Sequence, residues 1–480
     1  MSFDWEIKKL KEIGEVVTGK TPSGKIENAY GGEVLFLTPK DLTNKKNTFQ
    51  TERTLSDEGL NAVTNYLLPE NSVSVSCIGS DLGKVTILRK EAVTNQQINS
   101  IVLNEEVNHE YVYYDLSLRQ NELKSIAGGS ATPIINKSSF SEIEINLPPR
   151  KVQDQIVEQL APLDQKIHLN QKTNETLEAM AQAIFKSWFV DFDPVRVKIK
   201  ANSAGRDPNR AAMAAISACT KVSADGAVLW DETVAALDQK LSGMTEEQRE
   251  QLTRTAELFP DELEESEIGV VPKGWEVVNY GKLIEYMIGG DWGKEEPTKK
   301  HTERVRIFRG TDLPDVFHGN DESVPVRFVQ SKKLKTRKLK HGDIVFEVSG
   351  GSKNQSTGRN LLISEKLIKR FGPDLEPASF CKLMRPASIE LSYYLGVYLR
   401  KAYNDDLMWQ FQVQSTGISN FQTSTFMDQH CLVVPKEEIL KQFQGFVEPI
   451  FDKIYNNENS ELKKLRDTLL PRLISGEIQI

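Results

Sequence analysis

Apolar residues recur at alternating intervals of four and three positions over one long stretch of the chain, from Pro148 to Phe192. This spacing is typical of a seam between packed helices. The seam positions are Ile156, Leu160, Leu163, Ile167, Asn170, Asn174, Leu177, Ala181, Ile184 and Trp188. We expect Pro162 to bend the first turns or to end a short leading helix. The pattern predicts about 25 to 35 helical residues, on the order of 40 to 55 Å.

A second apolar stripe lies between Val434 and Ile478, with Glu458 at its centre. Its members are Phe443, Val447, Ile450, Ile454, Leu462, Leu465 and Leu469. Both stretches follow a proline and become polar halfway. We interpret them as two copies of one helical element, packed on each other. The alternative is a pair of ordinary amphipathic helices in unrelated domains.

Matching residue pairs recur along the chain, and the sequence distance between the two copies increases towards the C-terminus. Trp5-Glu6 matches Trp275-Glu276 at 270 positions, Asp41-Leu42 matches Asp312-Leu313 at 271, Ser139-Phe140 resembles Thr425-Phe426 at 286, and Lys166-Ile167 matches Lys453-Ile454 at 287. A diverged duplication with insertions gives this pattern. The halves are then residues 1–192 and 268–480.

Each half begins with a part that alternates strand-like and helix-like patterns. Strands are predicted at Val34–Leu42, Ser72–Ser80, Lys84–Arg89, Ile98–Leu103, Val305–Leu313 and Gly342–Gly351. Helices are predicted at Glu110–Ile126 and Ser392–Tyr403. Between the halves, residues 198–267 form a helical insert, where Thr245 and Gln248 start a capping box. The fold class is therefore α+β.

Charge is distributed unevenly. The chain carries a net charge of −8, but residues 225–267 alone carry −10. By contrast, Arg327 to Lys340 holds seven basic residues and no acid. This basic run is a candidate surface for phosphate contacts, or else an ordinary solvated face.

Composition excludes several classes of protein. The four cysteines are Cys77, Cys219, Cys381 and Cys431. They form no CxxC pair, which argues against a zinc ribbon or a disulfide framework. No apolar run is long enough for a membrane span, and the N-terminal residues are charged. We expect a cytoplasmic protein without metal sites.

One enzymatic motif matches by letter. Gly14 to Thr21 reads GEVVTGKT, which satisfies the phosphate-binding loop pattern with Lys20 and Thr21 at the expected places. Such a loop opens a helix, but Pro22 follows at once. A nucleotide-binding protein stays as an alternative, although the context disfavours it. We find no methyltransferase, zinc protease or serine hydrolase signature, so the chain is expected to be non-catalytic.

Several motifs together identify a family resemblance. They are Leu147-Pro148-Pro149, Gln153-Asp154-Gln155-Ile156, Asn174-Glu175-Thr176-Leu177-Glu178, Lys186-Ser187-Trp188-Phe189-Val190-Asp191-Phe192, Asn95-Gln96-Gln97-Ile98-Asn99 and Ile268-Gly269-Val270-Val271-Pro272-Lys273-Gly274-Trp275. With them, nearly the whole chain resembles the specificity subunits of type I restriction-modification enzymes.

The resemblance implies an architecture and a function. Two target recognition domains, 1–148 and 268–434, would be separated by two long antiparallel coiled-coil helices, 149–197 and 435–480, related by a pseudo-twofold axis, with 198–267 as an acidic insert. Each domain would read one half of a bipartite site in double-stranded DNA. The partners would be two methyltransferase subunits and restriction subunits. These would bind S-adenosylmethionine, ATP and Mg, while the chain itself needs no cofactor.

Candidate DNA contacts lie in loops rich in glycine and hydroxyl residues and in the basic run. They are Lys84, Ser130, Thr132 and Asn136 in the first domain, and Arg309, Lys335, Arg337, Lys338, Lys353, Asn354, Arg359, Thr416 and Ser419 in the second. The remaining alternative is a coiled-coil scaffold with no role at DNA.

Overall fold

The computed structural model describes residues 5–42, 46–127, 133–350, 355–415, 418–456 and 458–478. It divides into two compact units. The first unit is Met1–Ile167 with Glu461–Ile480, and the second is His168–Ser460. Both combine strands with helices, which confirms the predicted mixed α/β character.

The first unit contains three small sheets. Its strands are β1 (Glu6–Lys9), β2 (Gly14–Thr18), β3 (Tyr30–Leu37), β4 (Asn47–Thr48), β5 (Arg53–Leu55), β6 (Val73–Ser76), β7 (Val85–Leu88), β8 (Ala92–Thr94), β9 (Ile98–Leu103) and β10 (Glu144–Leu147). The strand orders are β2-β9-β6-β7-β4, β5-β3-β8 and β1-β10. Its short helices are α1 (Leu10–Ile13), α2 (Asp57–Asn61), α3 (His109–Leu118), α4 (Gln120–Ile126) and α5 (Lys137–Ser141).

The remaining helices begin with the longest one. They are α6 (Arg150–Phe189), α7 (Asp193–Ser203), α8 (Pro208–Ile216), α9 (Trp230–Ser242), α10 (Glu246–Leu258), α11 (Leu313–Phe317), α12 (Ser331–Arg337), α13 (Glu365–Phe371), α14 (Ile389–Asn404), α15 (Thr423–Gln429), α16 (Glu437–Tyr455) and α17 (Asn459–Ile474). Short 3-10 helices cover Pro39–Asp41, Thr64–Tyr66, Gly79–Asp81, Tyr280–Leu283 and Leu407–Phe411. None of the helices in the described part of the chain has both the length and the apolar character needed to cross a bilayer.

The second unit contains its own set of sheets. Its strands are β11 (Leu263–Ser266), β12 (Gly269–Pro272), β13 (Glu276–Asn279), β14 (Ile284–Gly289), β15 (Glu303–Phe308), β16 (Val326–Val329), β17 (Ile344–Glu347), β18 (Ser349–Gly350), β19 (Asn360–Leu362), β20 (Leu375–Pro377), β21 (Cys381–Pro386), β22 (Gln412–Ser415), β23 (Ile418–Phe421) and β24 (Cys431–Val434). They form sheets of order β14-β21-β17-β19, β16-β15-β20, β18-β23-β22, β13-β24 and β11-β12.

The strand order repeats between the first module (residues 5–147) and the second module (residues 276–434). The antiparallel order β2-β9-β6-β7 corresponds to β14-β21-β17-β19. In the smaller sheet, β3 pairs antiparallel with β5 and parallel with β8, as β15 does with β16 and β20. The pairs β1-β10 and β13-β24 also correspond. The two modules therefore share one topology, in agreement with the predicted duplication.

Helix α6 runs through Pro162 without a break. The expectation that Pro162 would end a leading helix is therefore wrong. Ile156 and Leu160 are buried on the N-terminal side of the proline, and Asp164 binds Arg466 at 2.9 Å on its C-terminal side. Because both flanks are anchored by tertiary contacts, the helix tolerates the hydrogen bond that proline cannot donate. All ten predicted seam positions are buried or half-buried.

Within the second unit, α6 runs antiparallel to α16 and the start of α17. Asn170 Nδ2 donates to Asn459 Oδ1 at 2.9 Å, and Asn174 Nδ2 donates to the carbonyl oxygen of Ile454 at 3.4 Å. Farther along α6, Trp188 packs against Phe443. The partner number falls as the α6 number rises, so this pairing is antiparallel.

The C-terminal stripe forms two helices instead of one. Helix α16 ends at Tyr455 and α17 begins at Asn459, so Glu458 lies between them and is exposed. Leu465, predicted on the stripe, is 49% exposed, whereas Leu470 and Leu473 are buried. Asparagine favours turns and caps over helix interiors, and Asn456 and Asn459 lie at the break between the two helices. The restart at Asn459 shifts the buried face of α17.

Most of the insert is helical as predicted, with α7, α8, α9 and α10, whereas its last residues form strand β11, which pairs with β12. Gln248 N donates to Thr245 Oγ1 at 3.3 Å and Thr245 N donates to Gln248 Oε1 at 3.0 Å, which confirms the capping box. The buried Lys198 Nζ donates to the carbonyl oxygen of Phe259 at 2.7 Å. Phe259 in turn packs against Trp188. The ends of the insert thus belong to the core of the second unit.

The segment that matches a phosphate-binding loop is a strand. Residues 14–18 form β2, which pairs antiparallel with β9, and residues 19–29, all described, contain no helix. A phosphate-binding loop requires a helix N-terminus directly after the loop. The nucleotide-binding alternative is therefore wrong.

Candidate nucleic-acid interface

A cleft of about 720 Å³ opens in the first module, at the ends of β3, β6 and β8. Its lining is rich in hydrogen-bonding groups: Thr38, Pro39, Lys40, Glu52, Arg53, Ile78, Gly79, Asp81, Asn95 and Gln97. Gly79 has a positive φ of 70°, which lets the chain turn sharply at the rim. A cleft in which several polar groups converge is a candidate binding site.

Asp41 holds the first loop of the cleft in place. Its Oδ2 accepts from Thr38 N at 2.8 Å and from Thr38 Oγ1 at 2.7 Å. Its Oδ1 accepts from Glu52 N at 2.8 Å. The carboxylate therefore ties the loop after β3 to the chain that enters β5.

The loop that follows β8, residues 95–97, is held in shape by hydrogen bonds of its own side-chain amides. Gln97 N donates to Asn95 Oδ1 at 3.1 Å, and Asn95 Nδ2 donates to Gln97 Oε1 at 3.1 Å. Thr21 Oγ1 donates to Gln96 Oε1 at 2.7 Å. The loop is also tied to the end of β6, because Cys77 N donates to the carbonyl oxygen of Gln97 at 2.8 Å.

The same three loops meet in the second module. Val348 N donates to the carbonyl oxygen of Phe380 at 2.9 Å, as Cys77 N does to that of Gln97. Arg309 takes the place of Thr38: its N and Nε donate to Asp312 Oδ2, both at 2.9 Å, and its Nη2 donates to Asp312 Oδ1 at 2.8 Å. These bonds favour the charged guanidinium and raise the pKa of Arg309.

Beneath these loops lies a buried ion pair. Arg359 Nε donates to Glu347 Oε2 at 2.8 Å, and a second hydrogen bond joins Arg359 Nη2 to Glu347 Oε1. A Cβ at Gly310 would lie 2.2 Å from Glu347 Oε1, so only glycine fits there. Bidentate geometry fixes the pair. Arg359, a predicted DNA contact, thus supports the loops from below.

The other predicted contacts lie in varied surroundings. In the first module, Lys84 pairs with Asp81 at 2.6 Å, and Asn136 is exposed and caps α5 by accepting from Ser139 N at 2.8 Å. In the second, Ser419 is buried in β23. The predicted contacts outside the described residues are Ser130, Thr132, Lys353, Asn354 and Thr416.

The basic run covers the end of β16 and helix α12, and several of its side chains have partners. Lys333 pairs with Asp291 at 2.9 Å, Lys338 pairs with Asp374 at 2.8 Å, and Arg337 Nε donates to the carbonyl oxygen of Gly289 at 2.9 Å. Lys335 is exposed. Some basic side chains of the run therefore hold α12 to the rest of the module, whereas Lys335 presents its charge to solvent.

None of the cleft residues of the first module is among the contacts predicted from the sequence: Thr38 is not singled out there, and Asn95 and Gln97 belong only to a family motif. A signal was present, because Asp41-Leu42 and Asp312-Leu313 were recognised as a repeat. The repeated aspartate holds the same loop in both modules. No cluster of three or more metal-ligating side chains occurs among the described residues.

Comparisons with known proteins agree on one family. The family model described as type I restriction modification DNA specificity domain matches residues 3–179. The chain is 26% identical to the MjaIX specificity subunit of Methanocaldococcus jannaschii, over 99% of this chain and 94% of the relative. It is 32% identical to the HindI specificity subunit of Haemophilus influenzae, over 72% and 71%. A crystal structure of the type I restriction-modification S subunit from M. genitalium aligns with a TM-score of 0.50 at 14% identity, over 98% and 96%, which supports the fold.

Proposed function

The chain belongs to the specificity subunits of type I restriction enzymes, and from this membership we propose that each of its two modules reads one half of a bipartite DNA site. The observation that carries the proposal is the repeated strand topology, which places equivalent loops at the ends of β3, β6 and β8 and of β15, β17 and β20. Two equivalent reading surfaces with different side chains suit a site with two different half-sequences.

The helices would set the distance between the half-sites. Antiparallel contacts within the second unit, such as Asn170 with Asn459, support a coiled-coil spacer built from α6 and the successive helices α16 and α17. We propose that this spacer relates the modules by a pseudo-twofold axis. Half-sites about one helical turn apart could then be reached from one face of the duplex.

The proposed DNA contacts fall into two groups. Arg309, Asn136 and Lys84 would act at the module loops, together with Ser130, Thr132, Lys353, Asn354, Thr416 and Ser419. Lys335, with Arg337 and Lys338, would contact phosphates. Phosphate contacts position the protein on the duplex, whereas contacts to base edges carry the specificity. Arg359 would act through its support of the loops.

Catalysis would belong to the partners. We propose that two methyltransferase subunits bind S-adenosylmethionine and methylate adenine, and that restriction subunits use ATP and Mg. The specificity chain would supply the sequence reading and no chemistry of its own.

Reconstitution tests the proposal. The purified chain, its methyltransferase partner and the two together are incubated with genomic DNA and S-adenosylmethionine, and methylated adenines are mapped by sequencing. We expect methylation only in the mixture, at one split motif with an unspecified spacer. Turnover by the chain alone, or methylation without a split motif, would contradict the proposal.

A further inference from the structure

Two loops that occupy the same place in the two modules carry different side chains. Leu37 ends β3 and Phe308 ends β15, and each accepts a main-chain hydrogen bond from the residue that follows the neighbouring parallel strand: from Asn95 at 2.9 Å and from Ala378 at 2.8 Å. The next residues are Thr38 and Arg309. Thr38 and Arg309 are separated by 271 positions in the sequence, and so are Asp41 and Asp312.

The aspartate does the same work in both loops. Asp41 accepts from the main chain and the hydroxyl of Thr38, and Asp312 accepts from the main chain and the guanidinium of Arg309. The Asp312 side chain is only 1% exposed, while that of Arg309 is 40% exposed. A buried carboxylate thus orients a cationic side chain that still reaches solvent.

The donors of Arg309 are divided between protein and solvent. Nε and Nη2 are engaged, since Nη2 also donates to the carbonyl oxygen of Ser323 at 2.6 Å. Nη1 makes no hydrogen bond within the described residues, and it carries two N–H groups. Because Asp312 has already restricted the rotamers, binding through Nη1 loses little further side-chain entropy.

The chemistry of these donors selects one base. In the major groove, guanine presents two acceptors, O6 and N7, on one edge, whereas adenine presents one acceptor beside a donor. The two N–H groups of Nη1 can donate to both acceptors of guanine, whereas thymine presents only O4 beside its methyl group, and the amino group of adenine or cytosine opposes a donor. The Thr38 hydroxyl donates its one hydrogen to Asp41, so towards a base it offers acceptor lone pairs, the opposite of Arg309.

We propose that Arg309 reads a guanine in the half-site of the second module, with Asp312 as its positioning residue, and that Thr38 and Asp41 form the corresponding pair in the first module. This inference rests on the proposed division of the site between the two modules. It assigns one base of one half-site to one side chain.

The test measures the methylated motif of the reconstituted enzyme with Arg309→Thr, which places the residue of the first module in the second. We expect one G·C position in one half-site to lose its preference by roughly 5- to 150-fold, with the other half-site unchanged. Asp312→Asn should relax the same position. Arg304→Thr, which removes an exposed arginine from β15, the strand that precedes Arg309, is the matched control and should leave the motif unchanged.

A uniform loss of methylation without a change of motif would overturn the proposal, because it would make Arg309 a phosphate contact or a structural residue. An unchanged motif in an active Arg309→Thr enzyme would overturn it as well. If that variant does not fold, Arg309→Gln decides: its amide accepts as well as donates and suits adenine, so an undiminished guanine preference contradicts the assignment. Failure of the proposed function is distinct, since the wild-type enzyme itself would then show no split motif.

Discussion

Gly19 and Gly290 occupy equivalent positions in the two modules, and neither leaves room for a side chain. A Cβ at Gly19 would lie 2.1 Å from the carbonyl oxygen of Thr94, and a Cβ at Gly290 would lie 2.1 Å from that of Pro377. Their amides donate to Ile98 O at 3.2 Å and to Cys381 O at 2.9 Å. The glycine that completes the apparent phosphate-binding motif is therefore required by the packing of two strand ends.

Replacing either glycine with alanine should destabilise its own module. The added methyl group would meet main-chain oxygen, which cannot move aside as a flexible side chain can, so we expect a loss of about 1 to 3 kcal/mol of unfolding free energy. Chemical denaturation of Gly19→Ala and Gly290→Ala measures this. Gly24→Ala is the control, because nothing lies within 4 Å of its Cβ position. Equal stability of Gly19→Ala and Gly24→Ala would show that the strand ends can separate without cost.

The sequence predicted the helix whose apolar period extends over many turns, and it predicted the duplication from residue pairs that are still identical or similar in both halves. Helix α6 could be recognised because its apolar period extends over many turns. The effect of Pro162 could not, because it depends on tertiary contacts such as Asp164 with Arg466. The break after Tyr455 had a local signal in Asn456 and Asn459, but the continuing apolar period obscured it.

The site was less accessible to sequence reasoning. Glycine and hydroxyl residues indicated loops, but they did not indicate which loops meet. Arg359 looks like a phosphate ligand in sequence, yet Glu347, twelve positions earlier, engages it in the fold. The convergence of residues 38–41, 78–81 and 95–97 depends on strand order, which no local pattern encodes.

The basic side chains at α12 should have two different roles. Lys335→Ala removes an exposed charge, so DNA binding by the assembled enzyme should weaken equally for all sequences. The slope of log K against log salt should fall by about 0.9 for one phosphate contact. Binding titrations over a salt series measure this, with the exposed Lys240→Ala of the acidic insert as control. An altered motif with an unchanged slope would contradict a phosphate role for Lys335.

Substitution of Arg337 and Lys338 should have an additional effect. Because these side chains hold α12 to Gly289 and Asp374, Arg337→Ala with Lys338→Ala should lower stability as well as binding. A thermal melt of the double variant beside Lys335→Ala separates the two effects. If both variants melt like the wild type, the contacts of α12 contribute nothing measurable.

Stability should fall with rising pH because of Glu376. This side chain is 0% exposed, and its two carboxylate oxygens have no hydrogen-bond partner among the described residues. Burial raises the pKa of Glu376 to about 7; Asp291 adds to the increase, and Arg337 and Lys333 oppose it. The folded protein therefore holds the proton more tightly than the unfolded chain. The resulting stability is fully present below pH about 4.5 and is lost as pH rises through 7.

Glu376→Gln should remove that loss. Relative to wild type, the variant should gain unfolding free energy between pH 5 and pH 8, by up to about 3 kcal/mol for a shift of this size. Urea titrations at both values measure the gain, with the exposed Glu322→Gln as control. A constant difference between Glu376→Gln and wild type across this range would mean that Glu376 does not titrate there.

The proposed helical spacer makes a quantitative prediction about the DNA site. Asn170 faces Asn459 and Asn174 faces Ile454, so a segment added between these pairs must be added on both sides. Four helix-forming residues inserted after Lys172, with four more after Tyr455, lengthen each side by about 6 Å and add a rotation of only about 40° beyond one turn. Since base pairs are stacked at about 3.4 Å, the unspecified spacer should grow by one or two base pairs while both half-sites keep their sequences. Mapping of methylated adenines for this variant measures the spacer, and a four-residue insertion after Gly226, in an exposed turn of the insert, is the control that should leave it unchanged. An active double-insertion variant with the wild-type spacer would show that these helices do not set the distance.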